Sequence, residues 1–374
     1  MSHKLYLIAG EASGDLHGSN LARELKALSP ELQMRGWGGD RMQEAGVEIV
    51  KHYRDLAFMG FTEVLMNLRT ILKNLALCKK EILNYKPDAV ILIDYPGFNL
   101  RIAEFLHENG IPVIYYISPQ IWAWKRSRVE KIKRFVDRMF VILPFEKDFY
   151  KRFNYEVSFP GHPLLDAINN FDKHQTHKNS SLPENCIALI PGSRKQEISK
   201  MLPVMLETVQ EFKEYPVVIA KAASVEESFY REIIGNDSIL LSSEGTYPIL
   251  RKARAALVTS GTATLETALF KVPEIVCYKG SAVSYQLARR LIKVKFISLV
   301  NLILDKQAVP ELIQAEFSVS NTREKLSEIL HNNQVRTQML SDFEELENKL
   351  GGTGASARAA IEMIDFVKEL KTRY

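Results

Sequence analysis

Two short turns in the second half of this 374-residue chain combine small residues with charge in a way that suits anion binding. Pro191-Gly192-Ser193-Arg194 follows the apolar run 187–190, and Ser260-Gly261-Thr262-Ala263-Thr264-Leu265-Glu266 follows the apolar run 255–258. Each reads as a strand, a tight turn and a helix. Such a turn presents backbone N–H groups at a helix N-terminus, where partial positive charge stabilises an anion. The segments Gly192-Ser193 and Ser260-Gly261-Thr262, with Thr264 behind them, would hold the anion. Arg194 would add a two-pronged contact to a phosphate. Glu266, just inside the second helix, would accept hydrogen bonds from ribose hydroxyls. Together the two turns predict a diphosphate gripped from two sides, and so a nucleotide-linked substrate.

A second constellation lies near the front of the chain. Gly10-Glu11-Ala12-Ser13-Gly14-Asp15 follows the first apolar run and opens a helix. It is neither the G-x-G-x-x-G dinucleotide fingerprint nor a triphosphate P-loop, so hydride transfer and triphosphate hydrolysis lose support. Ser13 or Asp15 is expected to cap the helix. Capping does not account for Glu11, at the carboxyl end of the strand, where open α/β sheets bind ligands. Asp94 emerges from five apolar residues at the same edge; burial would raise its pKa and suit it to take a proton. The plainer alternative is an Asp that caps the following helix or stabilises the Tyr95-Pro96-Gly97 turn. His162, between Gly161 and Pro163, is either a cleft residue or a turn element. The histidines show no metal-ligand spacing and the chain contains no Asp-x-Asp, so neither metal nor cofactor is expected.

The elements that must position these residues alternate strand and helix. Apolar strands are predicted over 4–9, 33–38, 88–94, 111–116 and 138–143, with helices over 15–28 and 101–109. The longest helical stretch, 59–83, carries Phe61, Val64, Leu65, Leu68, Leu72 and Leu75 at three- and four-residue spacing, which reads as a core stripe. Met59, Met66 and Leu77 lie off that stripe, a surface wide enough to hold acyl chains. A polar stretch, 169–185, reads as a linker, and a second βα series follows it. The expected division is an N-terminal Rossmann-like domain over 1–168, the linker, a C-terminal Rossmann-like domain over 186–350 and a final helix within 351–374. This is an α/β fold with parallel sheets and a ligand cleft between the halves.

At 46% hydrophobic and 25% charged residues the composition is that of a soluble globular protein. No apolar run approaches the ~20 residues of a membrane span, and the N-terminus lacks a signal-peptide pattern. The three cysteines are far apart and read as reduced core thiols, in keeping with a cytoplasmic chain. The net charge of +4 is local in origin: within residues 125–138 seven basic residues face two acidic ones. Trp122 and Trp124 precede Lys125, Arg126, Arg128 and Lys131, a combination suited to anionic lipid. The plain alternative is a solvated helix face.

Taken together these segments resemble lipid-A-disaccharide synthase, a glycosyltransferase family of the GT-B architecture. The resemblance runs through nearly the whole chain. It rests on Gly10-Glu11-Ala12-Ser13-Gly14-Asp15, Met59-Gly60 with Glu63-Val64-Leu65, and Asp94-Tyr95-Pro96-Gly97-Phe98-Asn99. Further matches are Ser118-Pro119-Gln120-Ile121-Trp122-Ala123-Trp124, Pro144-Phe145-Glu146, Gly161-His162-Pro163, Ser298-Leu299-Val300-Asn301-Leu302-Ile303 and Val309-Pro310-Glu311-Leu312, with both rear turns. Gly97 departs from the pattern, which commonly has an acid there.

The resemblance implies transfer of 2,3-diacylglucosamine from its UDP conjugate to 2,3-diacylglucosamine 1-phosphate. It also implies independence from metals, a place at the inner face of the cytoplasmic membrane, and a homodimer. The C-terminal helix would then either return to the N-terminal half or exchange with a second copy. On this reading Asp94 is the base, with Glu11 as competitor, and Asn301 belongs to the nucleotide side. Ser13 and the Trp122–Lys131 region meet the acceptor or the membrane, and no nucleic acid is involved. The rivals are another GT-B UDP-sugar transferase or a UDP-sugar epimerase, and, from a different class, a two-lobed sugar-binding protein without chemistry.

Overall fold

The computed structural model describes residues 3–56, 68–124, 128–174, 181–235, 239–280 and 294–372. Met59, Gly60, Phe61, Glu63, Val64, Leu65, Met66, Lys125 and Arg126 therefore lie outside the described residues. The chain divides into two compact units, Met1–Asn170 with Leu350–Tyr374, and Phe171–Lys349.

The first unit is built on β1 (Lys4–Ala9), β2 (Gln33–Gly38), β3 (Glu48–His52), β4 (Ala89–Ile93), β5 (Val113–Tyr116) and β6 (Arg138–Phe140). They form one parallel sheet in the order β3-β2-β1-β4-β5-β6. Alternation along β1 feeds two cores. Tyr6 and Ile8 join Trp37, Leu92, Tyr115 and Ile102 on one face, while Leu5, Leu7 and Ala9 join Leu21, Ile91, Tyr116 and Met363 on the other. Burial of both faces is why β1, β4 and β5 read as continuous apolar runs. Helix α1 (Ala12–Leu28) packs against the C-terminal helix Ala355–Thr372 of the same chain. Asp166 secures that return by accepting from the N–H groups of Gly354 (2.6 Å) and Ser356 (2.7 Å).

Three expectations change here. Asp15 does not cap its own helix. It is buried, and accepts from the N–H groups of Gly39 (2.7 Å), Arg41 (3.2 Å) and Met42 (3.1 Å), so it caps α2 (Asp40–Glu44) instead. In α3 (Leu68–Tyr85) the buried face is Leu75, Cys78 and Ile82, with Ile71 partly buried, and Leu72 is 56% exposed. Leu75 is buried as the predicted stripe has it, whereas Leu72 is not, and the buried face continues through Cys78 and Ile82. The helix after Asp94, α4 (Pro96–Glu108), begins five residues earlier than predicted, with Pro96 at its first position; proline's fixed φ suits that place.

The second unit repeats the plan with β7 (Cys186–Ile190), β8 (Val217–Ala220), β9 (Leu240–Ser242), β10 (Ala253–Thr259), β11 (Glu274–Tyr278) and β12 (Glu311–Ile313). All are parallel, in the order β12-β11-β10-β7-β8-β9. Counted from its own first strand, this is the same 3-2-1-4-5-6 order as the first sheet, read from the other edge. Each sheet therefore reverses direction once: between β1 and β4, and between β7 and β10. The crevice beyond the carboxyl ends at such a reversal is where α/β sheets bind ligands.

Candidate functional site

Glu11, Asp94, Arg194 and the Ser260–Glu266 turn lie at these two reversals. In the first sheet Ala9 pairs with Ile93 in register, so Gly10-Glu11 and Asp94 leave neighbouring strands at one edge. Glu11 is the N-cap residue of α1, with no side-chain cap; Ser13, in its first turn, is exposed.

Asp94 and Tyr95 both adopt left-handed backbone, with φ of 46° and 48°. Non-glycine residues rarely do so, and such strain concentrates at functional sites. The turn is held from below. The Asp94 carbonyl accepts from the Tyr115 hydroxyl at 2.6 Å and from Asn99 Nδ2 at 2.8 Å. Above it the Tyr95 ring lies so close over Gly10 that a Cβ there would meet ring carbons at 2.3–2.6 Å. Burial raises the Asp94 carboxyl from 3.8 to about 7; the Glu11 charge pushes the same way, and the Tyr95 main chain opposes it. A half-buried carboxylate with a pKa near neutrality is a suitable proton acceptor. Asp94 does not cap α4, whose N-cap residue is Tyr95, with no side-chain cap.

His162 is a turn element. It is buried, its Nδ1 accepts from the Leu164 N–H at 3.1 Å, and burial lowers its pKa to about 3.

The aromatic and basic segment is partly core. Trp122 lies in α5 (Ile121–Trp124), half-buried and edge-on to Phe145 at 4.9 Å; Trp124 closes that helix. Arg128 is half-buried ahead of α6 (Val129–Phe135). Lys131 is exposed and 3.6 Å from Glu104.

In the second sheet Ile190 pairs with Val258, which puts the Pro191–Arg194 and Ser260–Glu266 turns side by side at the carboxyl edge. Gly192 has φ 114°, and a Cβ on it would meet the Glu197 carboxylate at 2.7 Å. That carboxylate accepts from the Ser193 N–H (3.1 Å) and pairs with Arg194 (3.0 Å). A carboxylate thus already occupies two of the donors assigned to a phosphate, the Ser193 N–H and Arg194. The sequence carries the signal for this contact: Glu197 is the N3 residue of α7 (Lys195–Val209), the capping-box position.

At the other turn Gly261 and Thr262 are exposed and no side chain caps α9 (Thr262–Leu269). Ser260 Oγ bonds the Ile297 carbonyl at 3.2 Å, and Thr264, fully buried, bonds the Gly261 carbonyl at 2.9 Å. Those two hydroxyls shape the turn, while Gly261 and Thr262 stay exposed. Between these segments in sequence lies α8 (Thr246–Lys252), whose Tyr247 hydroxyl donates to Glu266 Oε1 at 3.0 Å. Burial raises the Glu266 carboxyl and the Tyr247 bond lowers it. Nothing in the sequence pattern flagged Tyr247, because the contact is tertiary.

Asn301, expected on the nucleotide side, is fully buried. Its amide holds the main chain of Ala308 and Val309 and also Glu311 Oε1, at 2.8–3.0 Å. Glu311 in turn accepts from the N–H groups of Ile297 and Ser298. Asn301 braces the segment against which Ser260 rests and offers no amide group to a ligand. Among the described residues no three His, Cys, Asp or Glu side chains are grouped as metal ligands, and no helix is long and apolar enough to cross a membrane.

Comparison with known proteins agrees with this arrangement. Among solved structures the chain resembles the UDP-GlcNAc 2-epimerase of Neisseria meningitidis bound to UDP-GlcNAc (TM-score 0.63, 12% identity, 96% of this chain and 99% of the other). It also resembles the glycotransferase of kitacinnamycin (TM-score 0.64, 13% identity, 98% and 99% covered). At such identities the likeness establishes the GT-B fold and no more. Sequence relatives are closer. The chain is 42% identical to the lipid-A-disaccharide synthase of Syntrophus aciditrophicus, with 99% of each covered. It is 37% identical to that of Geobacter sulfurreducens, with 96% of each covered. With the family model for lipid-A-disaccharide synthetase matching residues 5–361, the chain belongs to the lipid-A-disaccharide synthase family of glycosyltransferase enzymes.

Proposed function

We propose that this chain moves 2,3-diacylglucosamine from its UDP conjugate to the 6-hydroxyl of 2,3-diacylglucosamine 1-phosphate, with inversion at the anomeric carbon. Asp94 takes the hydroxyl proton as the new C–O bond forms. The bond from the anomeric carbon to the diphosphate breaks, and its electron pair leaves with UDP. Arg194 and the main-chain amides of Gly192-Ser193 and Gly261-Thr262 carry the departing charge. Glu266 holds the ribose. Burial, with the Glu11 charge adding to it, keeps the Asp94 pKa high, so that Asp94 is basic enough to accept a proton near neutral pH.

The observation that carries this reading is the placement of both constellations at strand-order reversals. The first edge has carboxylates to accept a proton, and the second has a guanidinium and uncapped amides to hold an anion. The test is UDP release on mixing acylated donor and acceptor. Asp94→Asn is expected to lose that release by about 10²–10⁴-fold while still binding UDP, and release near the wild-type rate would place the base elsewhere.

The same reading puts the protein at the inner face of the cytoplasmic membrane, as a homodimer. The sequence Trp122, Trp124, Lys125, Arg126, Arg128 and Lys131 has the aromatic and cationic composition that suits docking on anionic lipid. Neutralising the four basic residues should reduce sedimentation with vesicles containing phosphatidylglycerol, and added salt should weaken the wild-type interaction. Binding indifferent to both would leave the segment a solvated face.

A further inference from the structure

The Tyr247–Glu266 contact adds a residue to nucleotide recognition that neither motif reading nor family resemblance had singled out. We propose that Tyr247 is a positioning residue: its hydroxyl fixes the Glu266 carboxylate in the orientation that meets the 2′- and 3′-hydroxyls of the nucleotide ribose. This rests on the reading of Glu266 as the ribose acceptor.

Three observations support it. First, the tyrosine hydroxyl donates to the carboxylate, with Tyr247 Oη 3.0 Å from Glu266 Oε1, inside the hydrogen-bond range. A carboxylate offers about four acceptor positions, so one donor orients it without exhausting it. Second, the donor is itself held. The Tyr247 ring packs on Phe270 at 5.0 Å and edge-on to Phe171 at 5.3 Å. Phe270 follows Glu266 by four residues, which puts both on one face of the segment that Tyr247 covers. Gly245, with φ 92°, turns the chain into α8 so that Tyr247 falls in its first turn. Third, the electrostatics need a donor. Burial pushes the Glu266 carboxyl toward its neutral form and the tyrosine hydroxyl opposes that. Ribose recognition by paired hydroxyl donors requires the ionised form, because only the carboxylate accepts on both oxygens.

Tyr247→Phe removes the hydroxyl and keeps the ring cluster. The experiment measures calorimetric affinities of the wild type, Tyr247→Phe and Glu266→Gln for UDP and for 2′,3′-dideoxy-UDP. The wild type should prefer UDP, and Glu266→Gln should abolish most of that preference. Tyr247→Phe should cut the preference by about tenfold, the size of one hydrogen bond to a charged group, with affinity for the dideoxy nucleotide unchanged. If Glu266→Gln collapses the preference and Tyr247→Phe leaves it at the wild-type value, the positioning role is wrong and the ribose assignment stands. If Tyr247→Phe weakens both nucleotides equally, Tyr247 is general support for the fold, and the inference also fails. A preference untouched by Glu266→Gln overturns the ribose assignment and the inference with it.

Discussion

Replacing Asp94 by asparagine should stabilise the protein at alkaline pH while removing its activity. The Asp94 carboxyl is raised from 3.8 to about 7, chiefly by burial and then by the charge of Glu11. A carboxyl whose folded pKa is raised contributes stability that is complete below pH 4 and lost as pH climbs through 7. The displacement is about three pH units at about 1.36 kcal/mol each, which caps the cost of holding Asp94 ionised in the fold at about 4 kcal/mol. Relaxation of a half-buried site reduces that, so about 2–4 kcal/mol is expected. Asparagine has nearly the same shape and no charge to desolvate. The assay is urea unfolding of both proteins at pH 4 and pH 8, read at constant slope. The difference between them should be small at pH 4, grow toward pH 7 and level off above it. Other buried carboxyls, such as Glu146 (raised by burial to about 8), titrate in both proteins and cancel in the difference. A gap independent of pH, or one that favours the wild type at pH 8, would refute the claim that Asp94 is a desolvated base.

Three further outcomes follow from the same geometry. In wild-type kcat/KM the acidic limb should bend near pH 7, about tenfold down per unit below it; Glu11→Gln should move the bend to lower pH yet leave it well above 3.8, because burial, the larger cause, persists. Gly10→Ala puts a Cβ within 2.3–2.6 Å of the Tyr95 ring, so it should displace the Asp94-Tyr95 turn and lower turnover at least ~10-fold, with UDP affinity unchanged in a titration. Arg194→Ala should weaken UDP by about tenfold or more and leave uridine binding as it was; equal losses for both ligands would deny it a phosphate role.

What could be read in advance was set by burial on two sides. β1, β4, β7 and β10 lie inside their sheets, so each is an apolar run ending in a turn, and Glu11, Asp94, Arg194 and Glu266 could be placed from the run alone. Two of the four edge strands lack that mark. In β3 no residue is fully buried, β12 has a single buried leucine, Leu312, and neither was foreseen. Polar residues with tertiary partners were misjudged for a related reason. Asp15 looks like a cap for the helix it begins, and its true partners, Gly39, Arg41 and Met42, are more than twenty residues away. Asn301 sits in a family motif, which marked it as important without revealing that its amide is committed to Ala308, Val309 and Glu311. The residues read as linker over 169–174 are the last turns of the helix Pro163–His174. Their polar side chains suit an exposed helix as well as a loop.

The two units share one strand order, and that accounts for the division of chemistry. A 3-2-1-4-5-6 sheet has one reversal, hence one crevice at its carboxyl edge, flanked by the turns after its first and fourth strands. Those positions are fixed by topology before any side chain is chosen. In the first unit both turns carry acids, Glu11 and Asp94, and burial, with the Glu11 charge second, raises the Asp94 pKa. In the second, the corresponding turns carry glycines with positive φ, Gly192 and Gly261, which let main-chain amides line the edge, and Arg194 adds fixed positive charge. The existing contact of Glu197 with Ser193 and Arg194 follows from the same logic. A positively biased edge draws the nearest carboxylate, and a phosphate bound there would compete with it for donors already aimed at an oxyanion.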